Sequence, residues 1–71
     1  MALWTVTVKA TRNINGLRLE RGMSVQVSSM YHPISYNNGE ATRQAFIRIY
    51  GIDLKKAGAL SIAYFDIEKQ N

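Results

Sequence analysis

The sequence has no cysteine, a single proline, a single histidine and no apolar run of the length a membrane helix needs. Without cysteine, neither a disulfide nor a thiolate metal site can brace the fold. One histidine leaves too few soft ligands for a transition-metal centre. The opening stretch MALWTVTVKA lacks the basic segment, apolar core and small-residue cleavage site of a secretory signal. No segment approaches the roughly 18 apolar residues of a membrane span. These absences point to a cytoplasmic protein with no membrane contact. Acids are also scarce, five against nine lysines and arginines, so the formal net charge is +4. A modest positive charge favours polyanions but identifies none.

What is present is ordinary for a globular chain: 46% hydrophobic and 20% charged residues, enough apolar material to offset chain entropy. The 71 residues form one domain, spanning 1–71. A chain this short hides only about 60% of the surface its unfolded form exposes. Good packing and self-association are its remaining means of gaining stability.

Residues 3–10, LWTVTVKA, alternate strictly, with Trp4, Val6, Val8 and Ala10 on one face and Thr5, Thr7 and Lys9 on the other. This is the pattern of a half-buried strand. RNING, 12–16, reads as a turn, followed by a short extended piece at 17–19, with a bend at Gly22. Met23, Val25 and Val27 then share a face opposite Ser24, Gln26 and Ser28, so 3–11 and 23–29 are expected to form an antiparallel pair. The stretch 29–39, SMYHPISYNNG, has no period and reads as a loop, with Met30 and Ile34 closing the core. Asn37 followed by Glu40 resembles a capping box and predicts a helix from near Gly39. Its apolar stripe would be Ala41, Ala45, Phe46 and Ile49, flanked by Tyr50, and its end Gly51 in the left-handed conformation. In 60–69 alternation returns, with Phe65 and Ile67 facing away from Ile62, Tyr64 and Asp66. The expected fold is α+β: a three-stranded, mainly antiparallel sheet in the chain order β-β-α-β, with one helix on one face. A right-handed crossover through the helix permits the spatial order 2-1-3.

GIDLKKAGAL, 51–60, separates helix from last strand and has the outline of a helix-turn-helix. A recognition helix must be long enough to lie in the major groove, and Gly58 follows the capping Asp53 by only five residues. The stretch therefore reads as a short capped turn, pinned by Ile52, Leu54 and Leu60, with Lys55 and Lys56 solvated. RIYGIDLKKAGALS, with ALWTVTVKATRNINGLRLERGMSVQV before it and YFDIEK after it, resembles a family of small proteins of unknown function from Bacteroides-type gut bacteria, over nearly the whole chain. That resemblance implies a short single-domain bacterial protein and no activity, ligand or catalytic residue.

Catalysis is poorly provided for. A general base needs an orienting partner, and Glu20 and Glu40, the acids nearest to His32, are not placed by spacing to be one. Asp66 and Glu68 share a strand face near Lys69, where solvation is the plainer role. No glycine-rich phosphate loop matches a known spacing. The chain is therefore expected to be non-enzymatic, to need no cofactor or metal, and to act by protein–protein contact, as a homo-oligomer or on a protein partner. Candidate contact residues are Leu3, Ile62 and Tyr64, assigned to the sheet face away from the helix, Ile47 on the helix's polar face, and Tyr31 and Tyr36 in the loop. The alternative is a nucleic-acid-binding accessory protein with a basic hairpin, its candidate contacts being Lys9, Arg12, Arg18, Arg21, Lys55 and Lys56.

Overall fold

Strict alternation does place the first strand at the centre of a sheet. In the computed structural model, which describes residues 2–70, β1 (Ala2–Val8) lies between β4 (Ser24–Ser29) and β5 (Phe65–Lys69), antiparallel to both. The order is the expected 2-1-3. Val6 sits opposite Val25 on one side and Ile67 on the other, so directly paired residues bring one apolar face together. The other face carries Thr5 and Thr7 beside Gln26, Ser24, Glu68 and Asp66. It is a polar face suited to solvent.

α1 (Glu40–Tyr50) covers the apolar face. Thr42, Ala45 and Phe46 are its buried residues, and Phe46 meets Phe65 with ring centroids 5.7 Å apart. The buried stripe is turned from the expected one, because Thr42 goes in while Ala41 and Ile49 stay out. A threonine can be buried when its hydroxyl is bonded, and Thr42 Oγ1 donates to Pro33 O at 2.9 Å. At the open edge of β4, Tyr50 Oη accepts from Ser24 N and donates to Ser24 O. This occupies one pair of edge groups that would otherwise be free to join a foreign strand.

The region 12–19 is a second hairpin rather than a turn and an isolated extended piece. β2 (Arg12–Ile14) pairs antiparallel with β3 (Leu17–Leu19). The two-residue loop between them is Asn15-Gly16, with φ of 48° and 84°, as a type I′ turn requires. Ile14 and Leu17 pack on the core, and Leu19 is fully buried within it. α2 (Leu54–Ala57) is the short capped turn expected from the sequence: Asp53 accepts from Lys55 N and Lys56 N, and Gly58 closes it at φ 70°. Leu54 is fully buried, and the two lysines are exposed. Asn15 Nδ2 donates to Ala57 O at 2.8 Å, tying the hairpin tip to α2. Among the described residues, no helix is long and apolar enough to cross a membrane.

Two expectations fail at element ends. Ile62–Tyr64 is a 3-10 turn capped by Ser61, and the last strand begins only at Phe65. The ladder between β1 and β5 ends at the pair Val8 and Phe65; past it a single bond, Lys9 N to Tyr64 O at 3.0 Å, continues before the chain turns away into the hairpin. At the start of α1 there is no capping box. The N-cap is Gly39, with no side-chain cap bond, and Asn37 and Asn38 have positive φ. Glu40 binds Arg43 and Gln44 instead of reaching back.

Candidate functional site

The loop between β4 and α1 has a fixed inner side and an uncovered outer one. Trp4 Nε1 donates to Ser29 O at 3.0 Å, and the Trp4 and His32 rings meet edge to face at 5.7 Å. His32 Nδ1 accepts from Ile34 N and Ser35 N, so the histidine acts as a local turn cap. Pro33 and Ile34 are buried, and Thr42 holds the Pro33 carbonyl. With these positions committed inward, the remaining large side chains go out. Met30 is 68% exposed, Tyr31 53% and Tyr36 54%. Ile34 closes the core as expected, but Met30 does not; it is solvent-facing instead.

The tyrosine rings lie 4.5 Å apart, tilted by 33°, within the distance range of interacting aromatic pairs. Together with Ser28, Met30, Pro33 and Ala41 they line a recess of about 280 Å³. Asn37, at φ 52°, also lines it. Beyond the recess, Asn37, Asn38 and Gly39 are all left-handed. Glycine suits 39: φ is 70°, and a Cβ there would stand a tight 3.2 Å from both Ile34 O and Leu60 Cδ2. This left-handed corner turns the chain from Tyr36 into α1 and leaves the tyrosine projecting.

Other sequence-derived contacts are dispersed. Leu3 lies opposite Ser28 at the recess end of the sheet, whereas Ile62 and Tyr64 precede β5 at the other end, so the three share no apolar face. Ile62 is exposed; Tyr64 packs on the core beneath the Arg12 guanidinium, 5.2 Å from its ring centre. Ile47 is half-buried rather than exposed among charges. Arg43, one turn earlier on the same side of α1, is bonded to Asp53, so the chain after Gly51 folds back along that side. Asp66 and Glu68 stand on the polar face of the sheet beside Thr7 and Thr5.

A charged cluster that sequence spacing did not reveal joins α1 to α2. Arg43 donates to both Asp53 oxygens, at 2.9 and 3.0 Å, and to Glu40 at 2.7 Å. Hydrogen bonding from Arg43 holds the Asp53 carboxyl down at about 2 against the opposing effect of desolvation, with help from Lys56 N–H and Lys55 N–H. Asp53 in turn raises the Arg43 pKa. Glu40 is lowered by its bond from Gln44 and by Arg43.

A family model matches residues 1–67, nearly the whole of this fold. The chain belongs to DUF6140, a family of unknown function. Neither the curated proteins nor the solved structures yield a match. For this DUF6140 chain, then, the recess and the distribution of charge are the observations on which a functional reading rests.

Proposed function

We propose that this DUF6140 protein is a small non-enzymatic binding module that acts through protein–protein contact, with the Met30–Tyr31–Tyr36 recess as its contact surface. The observation that carries the reading is the half-exposed tyrosine pair, in ring contact and lining a recess with Met30, Pro33 and Ala41. Tyrosine is favoured at binding hot spots because a rigid ring brings large contact area at little entropic cost. The pair stands on a loop fixed from behind by Trp4, His32 and Thr42, so little ordering would be needed on contact. Self-association is the first form to test, since a 71-residue chain without disulfides gains stability from a second copy.

The experiment is sedimentation velocity across a hundredfold concentration range, on the wild type and on Tyr31→Ser/Tyr36→Ser. The reading expects a concentration-dependent dimer in the wild type, and in the variant a monomer whose melting temperature is lower and no longer depends on protein concentration. A wild type that stays monomeric throughout removes self-association. A dimer that survives in the variant removes the recess as its interface.

A further inference from the structure

The end of the molecule away from the recess concentrates the charge. The hairpin region 9–22 holds Lys9, Arg12, Arg18 and Arg21, and α2 adds Lys55 and Lys56. The acids there are Glu20 and Asp53, and Asp53 is already bound by Arg43. In the rest of the chain Arg43, Arg48 and Lys69 balance Glu40, Asp66 and Glu68. Counted by segment, the hairpin region and α2 carry six cations against two acids and the rest of the chain three against three, a net +4 on these two segments; Asp66, opposite Thr7, is a further acid at this end, and Arg43, bonded to Asp53, a further cation. The bond from Asn15 to Ala57 holds the hairpin tip against α2 although they lie 42 positions apart, and the hairpin carries Arg12 on one face and Arg18, paired with Asn13, on the other.

From this asymmetry we infer that the hairpin–α2 end binds the phosphate backbone of a single-stranded nucleic acid. The inference is independent of the recess and would survive its failure. A single strand fits better than a duplex for two reasons. α2 has four residues, too short to lie in a major groove. And a polar recess on the hairpin brings Arg12, Asn13 and Tyr64 together; Tyr64 supports the Arg12 guanidinium from beneath, and the outer side of that plane can stack on an unstacked base while Asn13 meets a base edge. The exposed Asn13 carboxamide has both a donor and an acceptor for a base edge, for which an anionic lipid headgroup has no counterpart. Of the cations, Arg18 is shared with Glu20 at 3.4 Å, an exposed pair that phosphate can displace.

The test is fluorescence anisotropy of a short labelled single-stranded oligonucleotide, titrated with the full chain between about 50 and 200 mM salt. Binding should be weak and steeply salt-dependent, with a dissociation constant of roughly 10⁻⁴–10⁻⁶ M at physiological salt. Arg12→Gln/Arg18→Gln/Arg21→Gln should reduce the slope of log affinity against log salt by about 2, at about 0.7 per lost phosphate contact. Lys55→Gln/Lys56→Gln leaves the hairpin untouched and should also flatten the slope, so the inference remains testable if the triple variant fails to fold. Tyr64→Leu keeps apolar bulk but removes the ring; it should weaken binding roughly tenfold with the salt slope unchanged. Tyr31→Ser/Tyr36→Ser, at the other end, should not alter affinity. No binding at low salt, a slope unchanged in both charge variants, tighter binding of a duplex, or binding of phosphatidylserine vesicles without binding of the oligonucleotide would each overturn it.

Discussion

Every non-glycine residue with positive φ among the described residues is an asparagine: Asn15, Asn37 and Asn38. Asparagine tolerates the left-handed region because its short amide bonds locally. The sequence thus places permissive residues where the chain must reverse, and Gly51 shows the same logic at the end of α1. Its φ is 69° and its N–H bonds to Ile47 O at 2.9 Å, the bond of a left-handed helix-terminating cap, and Ile52 N follows with a bond to Phe46 O. A Cβ at 51 would meet nothing within 4 Å, so the cost of a side chain there is backbone strain alone. Gly51→Val should therefore lose about 1–2 kcal/mol, read as a lower urea midpoint at unchanged m. A midpoint equal to wild type would remove the cap as a source of stability.

α2 has only four residues, too few to be stable alone, and it holds its place through buried Leu54 and Ala57, the Asn15 bond and the Asp53 cap. Asp53 also receives Arg43, so one carboxylate caps α2 and ties it to α1. Its folded pKa, about 2, lies below the ordinary carboxylate value of about 3.9. The stabilisation is therefore fully present above about pH 4 and lost as pH falls toward 2, and Glu40, also lowered, acts in the same direction. Melting temperature should fall across that interval in the wild type and fall less in Asp53→Asn, which keeps an efficient cap but not the charge. Equal acid sensitivity in the two proteins would show that the ion pair contributes nothing. The alternation that marked β1, β4 and β5 was legible because each has one face on the core. The hairpin had its signal too, in the Asn15-Gly16 dipeptide, but three-residue strands give alternation no length in which to register.

At the scale of the whole molecule, 34 Å long and 21 Å across, the sheet runs from an aromatic recess at one end to a cationic hairpin at the other. Its uncovered face carries threonine, serine, glutamine and carboxylate side chains, with Leu3 the apolar one among the described pairs, so a second layer would bury mostly polar groups. Ile62 is exposed in the turn before β5, outside that face. Ile62→Lys should accordingly change stability by no more than about 0.5 kcal/mol and leave the sedimentation coefficient unaltered. A large drop in melting temperature or a shift in association state would return Ile62 to an interface.

The sequence by itself determined the sheet and its strand order, the single long helix ending at Gly51, and the capped turn at Asp53–Gly58, because period, cap chemistry and glycine placement act over a few residues. Only the tertiary structure decided what depends on distant partners. Thr42 could be buried because Pro33 O receives its hydroxyl. Met30 went outward while Pro33, Ile34 and Thr42 filled the space beneath the loop. Ile62 and Tyr64 left the strand because β1 ends at Val8. Lys55 and Lys56 came beside the hairpin's own cations only when Asn15 reached Ala57; along the chain their signs are visible, but that contact is not.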